Sequence, residues 1–274
     1  MKTNTAAAST TTPSMTDASD HERGIAIFNA MLPDMPEKLK TALGPVAPDM
    51  VRFIIDVAGG CVIARPQLDL QSREVATIAV LAAMGNAAPQ LAVHIRGGLA
   101  CGLTPQQVVD VIYLVAVFAG FPAALNAIAV AGEVFATHTP DFTPKEETLS
   151  PEEKRRRGLK TLHATSGEAG TNVLRAMQGT IPLLADLLVD FSYGEVIGRP
   201  ALSAEHKEIA MIAASCGRGG MLPQLKVHVQ AALNVGMTQE AILELLVQMA
   251  IYAGFPAALN GITAAREVFD QQKR

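Results

Sequence analysis

Two glutamates and two histidines interrupt otherwise apolar helical segments at matched positions. Glu74 precedes His94 by 20 residues (94 − 74), and Glu208 precedes His228 by the same number (228 − 208). Glu74 shares a helical stripe with Ile78, so it points toward the interior or its edge. A turn between the two helices of each pair would bring carboxyl and imidazole together. In an apolar pocket, such a pair can move a proton or stabilise an oxyanion.

The same residues also have a purely structural interpretation. A histidine repeated in two helices can satisfy a buried polar contact, and a glutamate beside Arg73 or Lys207 can form an ordinary surface ion pair. Small residues four positions after each histidine favour a ligand pocket, since they leave space beside the ring. From the residues alone, both interpretations stay open.

Two further pairs of polar residues recur beside these positions. Gln90 and Gln224 lie four residues before the histidines, on the same helix face, and are candidates for substrate contact or for helix capping. Arg65 and Arg199 each precede a proline, which keeps their backbone extended. These arginines either bind a substrate carboxylate or hold a loop in place.

Metal and cofactor sites are not predicted. The six histidines lack His-x-x-x-His spacing, and no paired cysteines are present. The chain also lacks GxGxxG, P-loop and GxSxG motifs. Cys101 shares a helix face with His94, which could activate a thiolate. Its counterpart in the second half is Val235, so we interpret Cys101 as a packing residue.

The chain is an internal duplication with an offset of 134 residues (199 − 65). Residues 65–135 align without gaps to 199–269, and 30 of the 71 pairs are identical. The segment AGFPAALN occurs at 119–126 and again at 253–260. We predict a disordered tail over residues 1–20, a first repeat over 21–147 and a second over 148–274. The boundary near Thr148 lies in a polar, proline-bearing segment.

Helical periodicity and capping residues predict an all-α fold for both repeats. No segment alternates with the period of two that is typical of strands. In the first repeat the predicted helix signals are Asp69 to Gly85, Pro89 to Gly102, a capping box from Thr104 to Gly120, and Pro122 onward.

Composition excludes several classes of partner. The formal charge is −4, without a basic stripe, so nucleic acid is not a predicted partner. No stretch is apolar for long enough to span a bilayer, and the first residues lack the apolar core of a secretory signal. Three widely spaced cysteines argue against a disulfide framework and favour a cytoplasmic location.

The runs GEVIGRPALSAEHKEIAMIAA and YAGFPAALN, with their counterparts in the first repeat, resemble the carboxymuconolactone decarboxylase family of the alkylhydroperoxidase D-like superfamily. The resemblance implies two tandem copies of that helical bundle. Family chains assemble as hexamers, so a duplicated chain is expected to form a homotrimer with a pseudo-hexameric arrangement.

The resemblance also implies a reaction, the decarboxylation of a small carboxylated lactone such as 4-carboxymuconolactone in aromatic-compound degradation, without a cofactor. His228 would stabilise the oxyanion, and Glu208 or Glu195 would return the proton. In the first repeat, His94 corresponds to His228 and Glu74 to Glu208. Cys61, however, occupies the position that is equivalent to Glu195. This difference indicates that the second repeat is the more competent site.

Two other functions are considered. Thiol peroxidases of the superfamily use a Cys-x-x-Cys pair ahead of the histidine, where this chain has Ala87 with Gln90 and Met221 with Gln224. A peroxide-reducing antioxidant is the second candidate, although the missing dithiol argues against it. The third is a ligand-binding or assembly scaffold without activity.

Overall fold

A computed structural model describes residues 18–272, and these form helices with no strand. The first part of the chain contains α1 (Asp20–Met31), α2 (Met35–Leu43), α3 (Pro48–Arg52), a π-helix (Phe53–Ile63), α4 (Leu70–Met84), α5 (Ala88–Ala100), α6 (Pro105–Ala119) and α7 (Phe121–His138). The second contains α8 (Pro151–Gln178), α9 (Pro182–Leu187), a second π-helix (Leu188–Ile197), α10 (Ala204–Arg218), α11 (Leu222–Asn234), α12 (Gln239–Tyr252) and α13 (Phe255–Gln272). The all-α prediction is confirmed. The predicted tail lies outside the described residues, except for its last three positions.

The predicted helix ends match local hydrogen bonds. The Ser72 backbone N–H donates to the Asp69 carboxylate at 2.8 Å, which caps α4, and the helix ends at Gly85 with a φ of 72°. Thr104 and Gln107 form the predicted capping box at the start of α6. Adding 134 to the bounds of α4, 70 and 84, gives the bounds of α10, 204 and 218. The duplication is therefore present in the structure at the level of whole helices.

The chain divides into two compact units. The first contains the described residues before Ala30 and residues 33–64. Within it, the His21 ring lies 2.8 Å from the Asp56 carboxylate, and Arg23 donates to the Gly60 carbonyl at 3.2 Å. These contacts hold α1 against the first π-helix.

The second unit contains residues 30–32 and 65–274, of which those up to 272 are described, and it holds helices from both repeats. Helices α4 and α10 pack against each other, and both carry small and branched side chains that are almost fully buried: Val75, Ala76, Ala79, Ile209, Ala210 and Ala213. The Gln248 side-chain amide crosses between repeats and donates to the Arg73 carbonyl and the Thr77 hydroxyl, both at 2.9 Å. The two repeats therefore share one hydrophobic core here.

The second π-helix lies close against α8 because glycines occur where the two backbones meet. A Cβ added to Gly158 would lie 2.0 Å from the Val189 carbonyl oxygen. Helix α8 also bends at Gly167, whose φ of 50° and ψ of −134° are not helical. The sequence analysis did not predict either π-helix. No helix within residues 18–272 is long and apolar enough to cross a membrane.

Candidate active site

In the second repeat, α10 and α11 bring Glu208 and His228 together. His228 Nδ1 lies 2.8 Å from Glu208 Oε2. The side chains are 1% exposed for Glu208 and 9% exposed for His228. Since Nδ1 is bound to the carboxylate, Nε2 is the ring nitrogen that can reach a bound molecule.

The first repeat contains the equivalent pair on α4 and α5. His94 Nδ1 lies 3.0 Å from Glu74 Oε2 and 3.2 Å from Oε1. The Glu74 side chain is 3% exposed, whereas that of His94 is 20% exposed. The structure therefore forms a glutamate–histidine contact in each repeat, although sequence spacing alone did not require one.

Each histidine packs against an aromatic ring from the other repeat. Phe118 of α6 meets His228 with a centroid distance of 5.0 Å, and Tyr252 of α12 meets His94 at 5.1 Å. Phe118 and Tyr252 are themselves equivalent, since 118 + 134 = 252. The surroundings of each histidine thus include side chains from both repeats. The sequence analysis missed these two residues, because no sequence pattern connects them to the histidines.

A cavity of about 360 Å³ adjoins His228, and we call it the His228 cavity. Its apolar walls include Val117, Phe118, Leu162, Leu188, Ile197 and Val227. Its polar groups belong to Ser166, Ser192, Tyr193, Gln224 and His228. No lysine, arginine, aspartate or glutamate is found among the described residues that line it. Of the two predicted glutamines, Gln224 lines this cavity, and Gln90 is exposed on α5.

Tyr193 is a site residue that the sequence analysis did not single out. It belongs to the second π-helix, and it is 7% exposed. Its hydroxyl lies 3.5 Å from the Ser166 hydroxyl, at the limit of a hydrogen bond. Burial raises the pKa of the Tyr193 phenol. The equivalent position in the first repeat is Gly59 (193 − 134), so only a comparison of the repeats could have identified it.

The structure does not place Glu195, one of the two predicted proton donors, in the His228 cavity. Glu195 forms an ion pair with Lys154 and lines a different cavity of about 350 Å³. We call this the arginine cavity, since Arg157 and Arg199 line it. The reason lies in the π-helix, which presents Tyr193 and Ile197 to the His228 cavity and Glu195 to the other side.

The position of Glu208 also differs from the one that its predicted role as proton donor requires. Glu208 does not line the His228 cavity, and the imidazole that it contacts does. Any effect of Glu208 on a molecule in this cavity would therefore pass through the His228 ring.

The two predicted arginines form matching ion pairs between the repeats. Arg199 Nε donates to Asp110 at 2.9 Å, and Arg65 Nη2 lies 2.7 Å from Glu244. The acceptors are equivalent positions, since 110 + 134 = 244. Neither arginine lines the His228 cavity. Both guanidinium groups are thus engaged in ion pairs across the repeats.

The cysteines do not form a thiol site at either histidine. Burial first, and then the charges of Glu74 and Asp69, raise the pKa of Cys101 to about 11. Burial raises the pKa of Cys216 to about 12. Cys61 is exposed, and a hydrogen bond to Asp20 is the main reason that its pKa is raised. A thiolate is the reactive form, so none of these environments activates sulfur.

Comparisons with known proteins agree on one family. The model of the carboxymuconolactone decarboxylase family matches residues 48–133 and 182–267. A 4-carboxymuconolactone decarboxylase of Acinetobacter baylyi is 28% identical over 124 residues, which is 44% of this chain and 90% of that protein. A nitrosuccinic acid decarboxylase of Metarhizium robertsii is 24% identical over 31% of this chain and 59% of its own.

A solved structure extends this likeness to the fold. It belongs to a protein of Burkholderia xenovorans described as a gamma-carboxymuconolactone decarboxylase subunit. The TM-score is 0.55 at 22% identity, and the match covers 92% of this chain and 98% of the other. The two chains therefore share an arrangement of helices over almost their whole length.

Proposed function

Because the chain belongs to the carboxymuconolactone decarboxylase family, we propose that it is a cofactor-independent carboxy-lyase acting on a small carboxylated lactone. A compound such as 4-carboxymuconolactone, formed during aromatic-compound degradation, has the required chemistry. The observation that carries the proposal is the Glu208–His228 pair, because His228 lines a cavity of about 360 Å³ whose described lining contains no lysine, arginine, aspartate or glutamate. Two relatives that are named decarboxylases support the same class of reaction.

The proposed reaction needs no electron acceptor outside the substrate. The carbon–carbon bond to the carboxylate breaks, carbon dioxide leaves, and the bonding electrons pass through the conjugated ring to the lactone carbonyl oxygen. That oxygen becomes an enolate oxyanion. One proton must then be returned to a ring carbon. The protein has to stabilise the oxyanion and supply the proton.

His228 can perform both tasks through Nε2. In the protonated ring, Nδ1–H donates to Glu208 at 2.8 Å, and Nε2–H is free to donate to the oxyanion. Transfer of that proton to the ring carbon leaves a neutral imidazole, which regains a proton from water. Glu208 fixes the orientation of the ring and balances its positive charge. In this scheme His228 is the catalytic residue and Glu208 is a positioning residue.

Apart from His228, whose positive charge Glu208 balances, the described cavity lining is uncharged, and this favours loss of a carboxylate. A cation beside the carboxylate would stabilise the starting state, in which the charge is localised. In the transition state the charge spreads over carbon dioxide and the ring. Without a fixed cation beside the departing carboxylate, the free energy of the starting state is therefore raised more than that of the transition state. The ion pairs that occupy Arg65 and Arg199 keep both guanidinium groups away from this position.

The test is a decarboxylation assay in deuterium oxide. Incubation with 4-carboxymuconolactone should reduce its ultraviolet absorbance, release carbon dioxide, and give a lactone with one deuterium on a ring carbon. The parent protein should do this without added metal or nucleotide. If the folded protein releases no carbon dioxide from this lactone or from related carboxylated lactones, the proposal fails.

We also infer that the chain assembles into a homotrimer with a pseudo-hexameric arrangement. The support is a pair of exposed apolar surfaces at equivalent positions of the repeats. Phe121 and Phe255 are 61% and 69% exposed, and Leu125 and Leu259 are 67% and 61% exposed. Light scattering should give three times the chain mass of 28.8 kDa. A monomer at micromolar concentration would contradict this assembly.

A further inference from the structure

The side chains around the His228 cavity indicate a narrower class of substrate than the family name suggests. We infer that the substrate carries a single carboxylate, the one that leaves, and that Tyr193 recognises an uncharged oxygen on the rest of the molecule. This inference rests on the proposed function and deepens it. 4-Carboxymuconolactone itself carries a second carboxylate, so it would be a poorer substrate than a lactone without one.

The described residues that line the cavity include no lysine or arginine that could pair with a second carboxylate. The hydrogen-bonding groups of the cavity are hydroxyls, an amide and the His228 ring. Nδ1 of His228 already contacts Glu208, so only Nε2 is left to bind an anion, and it can bind one at most. A second carboxylate would lose its hydration without gaining an ion pair, which is costly in an apolar site.

The neighbouring cation-bearing side chains do not change this conclusion. Lys154 is engaged by Glu195, and Lys226 by Glu267. Arg199 is held by Asp110 and lines the arginine cavity instead. None of the lysines and arginines within residues 18–272 lines the cavity that contains His228.

The Tyr193 hydroxyl can donate a hydrogen bond to a bound molecule. Tyr193 is buried and lines the cavity, and its hydroxyl neighbours the Ser166 hydroxyl at 3.5 Å and the Thr165 hydroxyl. Rotation about the C–O bond turns the phenol proton toward an acceptor in the cavity. Because burial raises the pKa of this phenol, it stays a neutral donor near pH 7. A neutral O–H donor suits a lactone carbonyl or ring oxygen, and a site built around such a hydrogen bond discriminates against a ligand that lacks the oxygen.

Equilibrium binding of unreactive ligands tests the inference independently of catalysis. Three probes are used in calorimetry: 5-oxotetrahydrofuran-2-carboxylate, its 2-carboxymethyl derivative with a second carboxylate, and cyclopentanecarboxylate. The saturated rings cannot accept the electrons of a departing carboxylate, so the ligands bind without reacting. We expect the first probe to bind about tenfold more tightly than either of the others.

Tyr193→Phe separates hydrogen bonding from ring packing. This variant should weaken binding of 5-oxotetrahydrofuran-2-carboxylate about tenfold and change binding of cyclopentanecarboxylate less than about twofold. Tyr113→Phe is the matched control, because Tyr113 lines the arginine cavity and should leave both affinities unchanged. Thermal unfolding confirms that the variants are folded.

The outcomes distinguish this inference from the proposed function. Equal or tighter binding of the dicarboxylate would overturn the single-carboxylate class. Equal weakening of both monocarboxylates by Tyr193→Phe would overturn the role of the hydroxyl. If the binding preferences hold but no carboxylated lactone is decarboxylated, the proposed reaction fails while the ligand class of the cavity stands.

Discussion

The two glutamate–histidine pairs share a fold but not their surroundings. Both pairs join equivalent helices, and both histidines meet a ring from the other repeat. In the second repeat, however, Tyr193 lies in the cavity beside the histidine, where the first repeat has Gly59 in sequence. The His228 side chain is also less exposed than that of His94, at 9% against 20%. The two repeats therefore share the glutamate–histidine contact but differ in the side chains and exposure around the histidine.

Replacement of the two histidines gives the largest expected difference between the repeats. His228→Gln should lower kcat for lactone decarboxylation about a thousandfold, because it removes the proton donor. His94→Gln should lower kcat less than about threefold, since we assign the working site to the second repeat. Carbon dioxide release under saturating substrate measures both. Equal losses in the two variants would show that both repeats contribute.

The ion pairs between repeats should differ in their effect on stability. Arg199→Met leaves Asp110, which is 4% exposed, without its cation and should cost about 3 kcal/mol of unfolding free energy. Arg65→Met should cost about 1 kcal/mol, because Arg65 is half exposed and Arg73 stays 3.7 Å from Glu244. Urea denaturation provides both values. A larger loss for Arg65→Met would reverse this ranking.

Glutamate substitutions test whether Glu208 acts through the ring. Glu208→Gln should lower kcat about thirtyfold with a smaller change in KM, because ligand contact is retained while the charge behind His228 is lost. It should also displace the pH profile of kcat, which a purely structural role would not do. Glu74→Gln is the matched control and should leave the profile in place. A KM effect alone would place Glu208 in ligand contact instead.

Cysteine replacement should have the smallest effect. With the pKa of Cys101 raised to about 11, about one thiol in a thousand is ionised at pH 8, and the ionised fraction rises tenfold per pH unit until the pKa is reached. Iodoacetamide should therefore label Cys101 slowly at pH 8 and faster at higher pH. A variant with all three cysteines changed to serine should keep its decarboxylase activity, provided that it folds. Thiol-dependent peroxide consumption that disappears in this variant would favour the antioxidant function.

Much of the fold could be predicted because its signals are local. Asp69, Gly85 and Thr104 act on the backbone within a few residues, so their roles are visible in sequence. The duplication then transfers each prediction to the second repeat. The π-helices were missed because they depend on close backbone contact between distant segments, as at Gly158 and Val189.

The site was predicted less completely, for the same physical reason. Glu208 and His228 were found because a charge in an apolar helix is conspicuous in sequence. Phe118 reaches His228 from the other repeat, and the orientation of Glu195 depends on a π-helix, so neither was accessible to spacing arguments. Tyr193 differs from its equivalent Gly59 in sequence, but its place in the cavity beside His228 is visible only in the structure.

The most direct test of the account is a crystal structure of the protein soaked with 5-oxotetrahydrofuran-2-carboxylate. We predict ligand density in the His228 cavity, with one oxygen within hydrogen-bonding distance of His228 Nε2 and another near the Tyr193 hydroxyl. Density confined to the arginine cavity, against Arg157 and Arg199, would contradict the account.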